Sequence, residues 1–246
     1  MGRLLITGDK HGDYKEVERF CLRWNTSKDD LLIVLGDNGV NYYGIDDRRT
    51  QRLKDYLSAL PISFFMIHGN HDQRPSLKRY AVAPENAHPL LHGAFLVEEK
   101  YPSLLFAPMY GGIHLHTASG WKPAFVLGGA YSVDKWFRLQ MQAEGHTGYR
   151  WFFDEQMSDW EQKEASSMIS DFKPDIILSH TCPAKYIPYD KFLSMVDQRT
   201  VDRTTEDFLD RIEDTIPYRK WYCGHYHTDR HVDDVRFMFH DIVEVE

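Results

Sequence analysis

The sequence predicts an α/β fold, and three observations predict it. Short apolar runs at Leu4–Thr7, Leu31–Leu35 and Ile62–Ile67 each stop at a polar turn: Gly8-Asp9, Gly36-Asp37 and His68-Gly69-Asn70-His71-Asp72. Runs this short and this apolar suit strands buried on both faces. Helical stripes separate them. Val17, Phe20, Cys21 and Trp24 recur at i, i+3, i+4 and i+7, and Leu53, Tyr56, Leu57 and Leu60 repeat that spacing before Pro61 stops the element. Strand–helix–strand–helix–strand order implies right-handed crossovers and a sheet covered by helices on both sides. In such sheets ligands sit beyond the carboxyl ends of the strands, where all of these polar turns fall.

The stretch from Pro84 to Arg150 is richer in Gly and Pro and reads as the less regular half of the same domain. Strands are expected there at Ala94–Val97, Leu104–Ala107 and Phe125–Leu127, and Asp134 is placed to cap a helix starting at Lys135. A helix is expected over Gln156–Ile169, then a buried strand, Asp175–Ser179, that ends at His180. Asp202–Ile212 reads as a helix with Phe208, Leu209 and Ile212 on one face. Trp221-Tyr222-Cys223 leads into Gly224-His225-Tyr226-His227, and Val235–Val245 can close the sheet as one or two strands. No fixed-period repeat interrupts this order, so one domain over residues 1–246 is expected.

Composition excludes several classes. With 14 Phe, 14 Tyr and 6 Trp the chain needs a core, which rules out disorder for most of it. The formal net charge is -8 and no basic run exists beyond Arg48-Arg49 with Arg52 and Lys54, so a grip on nucleic acid through phosphates is disfavoured. Three scattered cysteines make no disulfide framework. The N-terminal apolar run meets Gly8-Asp9 before a signal-peptide core develops, and no run reaches transmembrane length. A cytoplasmic protein without membrane contact is expected.

The strand ends carry the chemistry. Asp9 and His11 follow the first run, Asp37 the second, Asn70 and His71 the third, His180 a fourth, and His225 with His227 the last. Alternate residues after a strand can point to one side. Carboxylate oxygen with imidazole nitrogen suits a divalent ion such as Mn, Fe, Zn, Co or Ni. A lone histidine is better read as core or surface, and a lone Gly-Asp as a turn. Strand-end clusters that all share metal-compatible side chains make coincidence the poorer explanation.

Asp9-x-His11, Gly36-Asp37, Gly69-Asn70-His71-Asp72, His180 and Gly224-His225-x-His227, complete and in this order, resemble the calcineurin-like metallophosphoesterase superfamily. The resemblance spans nearly the whole chain. It implies a four-layer α/β/β/α sandwich, with two mixed β-sheets back to back and helices outside; periodicity alone shows no second sheet. It also implies two divalent metal ions, most often Mn in activity, with Fe, Zn, Ni, Co or Mg as alternatives. One would be held by Asp9, His11, Asp37 and His227, the other by Asp37, Asn70, His180 and His225. Asp37 would bridge them opposite a hydroxide that attacks a phosphate ester in line. The implied substrate is a small phosphorylated molecule or a phosphoprotein, as monoester or diester; a nucleotide hydrolase, a nuclease and a silent binding module are the alternatives.

The resemblance makes His71 the acid that protonates the leaving alkoxide or hydrogen-bonds a phosphoryl oxygen. Gly36-Asp37-Asn38-Gly39 departs from the Ser/Thr phosphoprotein phosphatases, which continue with an Asp-Arg pair. Asp72 is a candidate to orient His71 or to cap a helix, and Arg74 to touch phosphate or sit in a solvent-facing turn. Gly128-Gly129-Ala130-Tyr131-Ser132 lets backbone approach closely, and similar text occurs in small bacterial and phage-type members. Ser132 lacks a companion base and is a poor nucleophile candidate. His114 and His116 read as exposed alternates on a strand or as lining of the groove mouth. Tyr42-Tyr43 and Trp121 are candidates to stack on a ring, or plain packing.

Overall fold

A computed structural model describes residues 2–44, 46–75, 79–192 and 200–245. Its first half runs β1 (Leu4–Thr7), α1 (Lys15–Trp24), β2 (Leu31–Val34), α2 (Arg48–Ala59), β3 (Ser63–Met66), β4 (Ala81–Val82), β5 (Leu91–Gly93), β6 (Leu96–Val97) and β7 (Leu104–Phe106). There follow β8 (Tyr110–Thr117), β9 (Gly120–Leu127), α3 (Lys135–Ala143), α4 (Asp159–Phe172), β10 (Ile176–Ser179), α5 (Thr204–Thr215), β11 (Lys220–Cys223), β12 (Arg230–Val232), β13 (Val235–Phe237) and β14 (Val243–Glu244). The strands form two mixed sheets, ordered β14-β1-β2-β3-β7-β6-β4 and β12-β13-β11-β10-β9-β8-β5. Parallel strands occupy both centres, β1-β2-β3-β7 and β9-β10-β11-β13. Antiparallel strands flank them.

Side-chain alternation turns each apolar run into two surfaces. Leu4, Ile6, Leu31, Ile33 and Phe65 join Ile113, Leu115, Ala124, Val126, Ile176 and Leu178 in one core between the sheets. Their alternates Leu5, Leu32, Val34, Phe64 and Met66 pack on Val17 and Cys21 of α1 and Leu57 of α2. On the far side Phe125, Ile177 and Trp221 meet Ala165 and Ile169 of α4 and Phe208, Leu209 and Ile212 of α5. The order is helix, sheet, sheet, helix: the four-layer α/β/β/α sandwich.

Several boundaries differ from expectation. The helix expected from Gln156 begins at Asp159, because Ser158 caps it: Ser158 Oγ accepts from the Glu161 N–H at 3.3 Å, and the Glu161 carboxylate accepts from the Ser158 N–H at 2.8 Å. The helix expected from Asp202 begins at Thr204, since the Asp202 carboxylate accepts from the Thr204 N–H at 2.9 Å in a turn ahead of it. Asp134 stands at the start of α3 without capping it; its carboxylate accepts from Arg138 Nε at 2.7 Å instead.

Only Leu96–Val97 of the expected Ala94–Val97 strand is extended, and Phe125–Leu127 is the end of the longer β9. Of the β8–β9 hairpin the sequence showed only the end of β9 and the alternation of His114 and His116 on β8, not the pairing of the two strands. On β8, Ile113 and Leu115 are buried while His114 is exposed, so the histidines do lie on the alternate face. His114 packs on Phe172, and His116 on Trp121, away from the strand-end cleft described below. Of the closing strands, β13 joins the second sheet but β14 pairs with β1 of the first.

Candidate metal centre

The parallel strands in each sheet end level with their neighbours: Thr7, Val34 and Met66 pair across β1-β2-β3, and Ser179 with Cys223 across β10-β11. The polar turns after these strands therefore meet at one rim of the sandwich. Three come from the first sheet and two from the second. Contact between them is tight. At Gly69 a Cβ would lie 2.2 Å from Asp37 Oδ1, and at Gly36 (φ 90°) 2.2 Å from His180 Nδ1. Only glycine fits at either place.

His11, Asp37, His225 and His227 have φ of 45°, 44°, 67° and 47°. Left-handed backbone is uncommon outside glycine and gathers at functional sites. Here it folds each turn back so that the side chains converge.

Asp9 and Asp37 are 2% exposed. Asp9 Oδ1 accepts from the His225 N–H at 2.8 Å, and Asp37 Oδ1 from the His71 N–H at 2.8 Å. Among the described residues no Lys or Arg pairs with either carboxylate; their neighbours are imidazoles. Burial, then the negative charges of Asp9 and Asp72, push the Asp37 carboxyl well above the usual range. Burial opposes ionisation of Asp9 too, but His227 leads the imidazoles that hold its carboxyl below the usual range. Burial holds His225 down at about 3 and keeps it neutral.

Potential ligand atoms converge at two points. His180 Nδ1 donates to the Leu35 carbonyl at 2.7 Å, since that oxygen can only accept, and this leaves Nε2 directed at the strand-end turns. Asn70 Oδ1 faces that Nε2 at 2.8 Å, while Asn70 Nδ2 donates to Ser132 Oγ at 2.9 Å. Asn70 Oδ1 and His180 Nε2 thus face the same point as Asp37, 3.5 Å from Nε2 to Asp37 Oδ1. At the second point His11 Nε2 and His227 Nε2 are 3.0 Å apart. Asp9 Oδ2 is buried there without a hydrogen bond, with His227 Nε2 at 3.2 Å. Asp9, His11 and His227 form one compact group able to hold a metal ion; Asp9, Asp37 and His180 form another. Hard oxygen and imidazole donors with no Lys or Arg paired to them among the described residues fit divalent ions.

The other predicted residues fall differently. His71 lies at the rim, its Nε2 3.7 Å from Asp37 Oδ2 and its ring 5.5 Å from that of His11. Burial, then the charge of Arg138, pushes its pKa down to about 2, so the resting imidazole is neutral. Asp72 does not orient His71. Its buried carboxylate accepts from Asn38 Nδ2 at 2.8 Å, Gly69 N–H at 3.0 Å and Gly39 N–H at 3.2 Å, tying the β2 and β3 turns together. Arg74 does not reach the site either. It donates to Asp154 O, Glu161 Oε1 and Gln156 O at 2.8, 2.6 and 2.8 Å, pinning the segment ahead of α4. Both were plausible from spacing alone; backbone acceptors and donors elsewhere claimed them.

Three residues were missed. Ser132 receives the Asn70 amide and donates to Glu155 Oε2 at 2.6 Å, so the Gly-Gly-Ala-Tyr-Ser stretch orients Asn70. The paired glycines pointed to the stretch but not to this role, and nothing pointed to Glu155. Arg138 on α3 lines a cleft of about 440 Å³ with His11, His71, Tyr42, Tyr43 and Arg49. No motif marks it.

Level strand ends from two back-to-back sheets, with a carboxylate–imidazole nest that no described Lys or Arg neutralises, define a metal-binding α/β/β/α sandwich. The calcineurin-like phosphoesterase family matches residues 2–234, and the chain belongs to that family. A comparison with curated proteins gives no match. No described helix is long and apolar enough to cross a membrane.

Proposed function

We propose that this chain is a metal-dependent phosphoesterase with two divalent ions, one on Asp9, His11, Asp37 and His227 and one on Asp37, Asn70, His180 and His225. The observation that carries the reading is the convergence of two groups of ligand atoms, Asp9 with His11 and His227 and Asp9 with Asp37 and His180, with the Asn70 Oδ1 2.8 Å from His180 Nε2 beside the buried Asp37. Bound there, the ions supply Lewis-acid polarisation of phosphoryl oxygens and an acidified water. The protein does the rest. Leu35 O fixes the His180 tautomer, Ser132 and Glu155 aim Asn70, and the His225 and His71 N–H groups hold the two carboxylates. His71, unligated and at the rim, faces the substrate, where its N–H reaches the leaving oxygen or a phosphoryl oxygen. The whole chain works as one domain, with Mn as the activating ion and a small phosphorylated molecule or phosphoprotein as substrate. Three buried free thiols suit a reducing cytoplasm.

Metal-stripped protein, reloaded with Mn²⁺ and assayed side by side on aryl phosphate, bis-aryl phosphate, cyclic nucleotides and phosphopeptide, tests this. Hydrolysis that needs the metal and saturates is expected. Inertness towards every ester with both ions bound would leave the silent binding module as the better reading.

Ser132→Ala should act through Asn70. Losing an outer partner of a metal ligand costs about 10–100-fold in metal affinity or activity. Mn²⁺ titration should show the loss as a raised metal requirement, largely recovered at high Mn²⁺. A lowered plateau with unchanged requirement would point to a direct role for the hydroxyl.

A further inference from the structure

Arg138 lines the cleft shared by His11 and His71, together with Arg49, and its charge acts on both imidazoles. Its side chain is only 13% exposed. It is also held in place. Nε donates to Asp134 Oδ2 at 2.7 Å, and Nη1 donates to Tyr42 Oη at 2.6 Å and to Arg150 O at 3.1 Å. Tyr42 Oη is fixed in turn by the Arg150 N–H at 3.0 Å and donates to Gly148 O at 3.3 Å. Nη2 has no hydrogen bond among the described residues. Anchoring of two nitrogens holds a charged group in the wall of a cleft that also contains His11 and His71, with a donor left over, an arrangement that binds an anion with little loss of side-chain entropy.

We propose that Arg138 recognises the terminal phosphate of a monoester and makes the site prefer monoesters over diesters. The inference rests on the phosphoesterase reading and deepens it. A monoester has three non-bridging oxygens. Two can turn towards a pair of cations while the third stays free for a guanidinium; a diester has only two and leaves Arg138 without a partner. The dianion also gains more from an extra positive charge than the monoanion does. Arg49 is a poorer candidate, since its side chain is 41% exposed against 13% for Arg138 and its charge is not among those that act on His11 or His71. The cleft volume, about 440 Å³, is that of a small-molecule site, so the favoured substrate is a compact phosphomonoester.

The test compares wild type, Arg138→Gln, Arg138→Lys and Tyr42→Phe, loaded with Mn²⁺ and with metal content measured in each sample. Nitrophenyl phosphate and bis(nitrophenyl) phosphate share a leaving group, so their ratio of kcat/KM reports recognition of the phosphate. Arg138→Gln should lower the monoester-to-diester ratio by about 10-fold or more, the weight of a charged hydrogen bond. Arg138→Lys should restore part of it, and Tyr42→Phe, which frees the guanidinium to wander, should lower it less. Calorimetry with inorganic phosphate gives a readout independent of turnover: Arg138→Gln should weaken phosphate binding by a similar factor at full metal content. An unchanged ratio together with unchanged phosphate binding would overturn the assignment, as would equal losses on both esters. If wild type hydrolyses neither ester, the phosphoesterase reading fails by itself, and the phosphate titration alone decides whether Arg138 binds the anion.

Discussion

Asp37→Asn is expected to abolish metal-dependent hydrolysis and to lower the content of both ions at once. Asp37 Oδ1 lies 3.5 Å from His180 Nε2 and Oδ2 lies 3.8 Å from His11 Nε2, so the carboxylate reaches both groups of ligands. Outer partners alone are worth about 10–100-fold, and loss of a shared ligand charge should exceed that range. Asn70→Ala, by contrast, should weaken one ion and recover partly at high Mn²⁺. Equal and complete rescue of the two variants would contradict the bridging role. Thermal melting adds a check. Asp37 is a buried carboxylate beside Asp9 and Asp72, so metal-free Asp37→Asn should melt no lower than metal-free wild type. Wild type should then gain stability from Mn²⁺ through binding to the native state, and the variant should gain far less.

His71→Ala should keep both ions and lose rate mainly on esters with poor leaving groups. Burial and the Arg138 charge hold the resting imidazole neutral, so it arrives at the reaction as a hydrogen-bond donor. On the proposed reading, a phosphate dianion held beside the Arg138 guanidinium would offset the lesser of these two effects and raise the imidazole's affinity for a proton. Nitrophenolate departs without that proton, whereas an alkoxide does not. The fall should therefore be steeper for an alkyl ester, by roughly 10-fold within the usual general-acid contribution of roughly 10²–10⁴-fold. Rates measured on both esters across pH, with metal content in the same samples, give the answer. Losses of one size on both esters with native metal content would end the acid assignment. Lost metal would move His71 among the ligands or their supports.

The core strands were legible because each is an uninterrupted apolar run that ends at Gly, Asp or His, and burial on both faces enforces that pattern. The β8–β9 pairing was harder to read for the opposite reason. One face of β8 is only partly buried, and glycines and histidines dilute its alternation. The helix starts moved by two or three residues because Ser158 and Asp202 offered local acceptors that outweighed the apolar spacing. Asp72 and Arg74 misled because adjacency in sequence says nothing of direction. After the tight Gly69–His71 turn, the Asp72 carboxylate points back under the strand ends and the guanidinium of Arg74 points away to the 154–161 segment.

By itself the sequence determined the donor set: which oxygens and nitrogens stand at strand ends, and hence that a divalent cation is their natural partner. Those choices are local, fixed by residue type one or two positions past a buried strand. Only the tertiary structure decided how the donors meet. Two sheets had to pack back to back for His180 and His225 to reach Asp9 and Asp37. Glycines at 36 and 69 had to leave room for that approach. A serine from the segment after β9 had to turn the Asn70 amide, and α3 had to lay Arg138 against the rim. Such contacts join residues 62 and 110 positions apart, and no pattern along the chain encodes a distance through space.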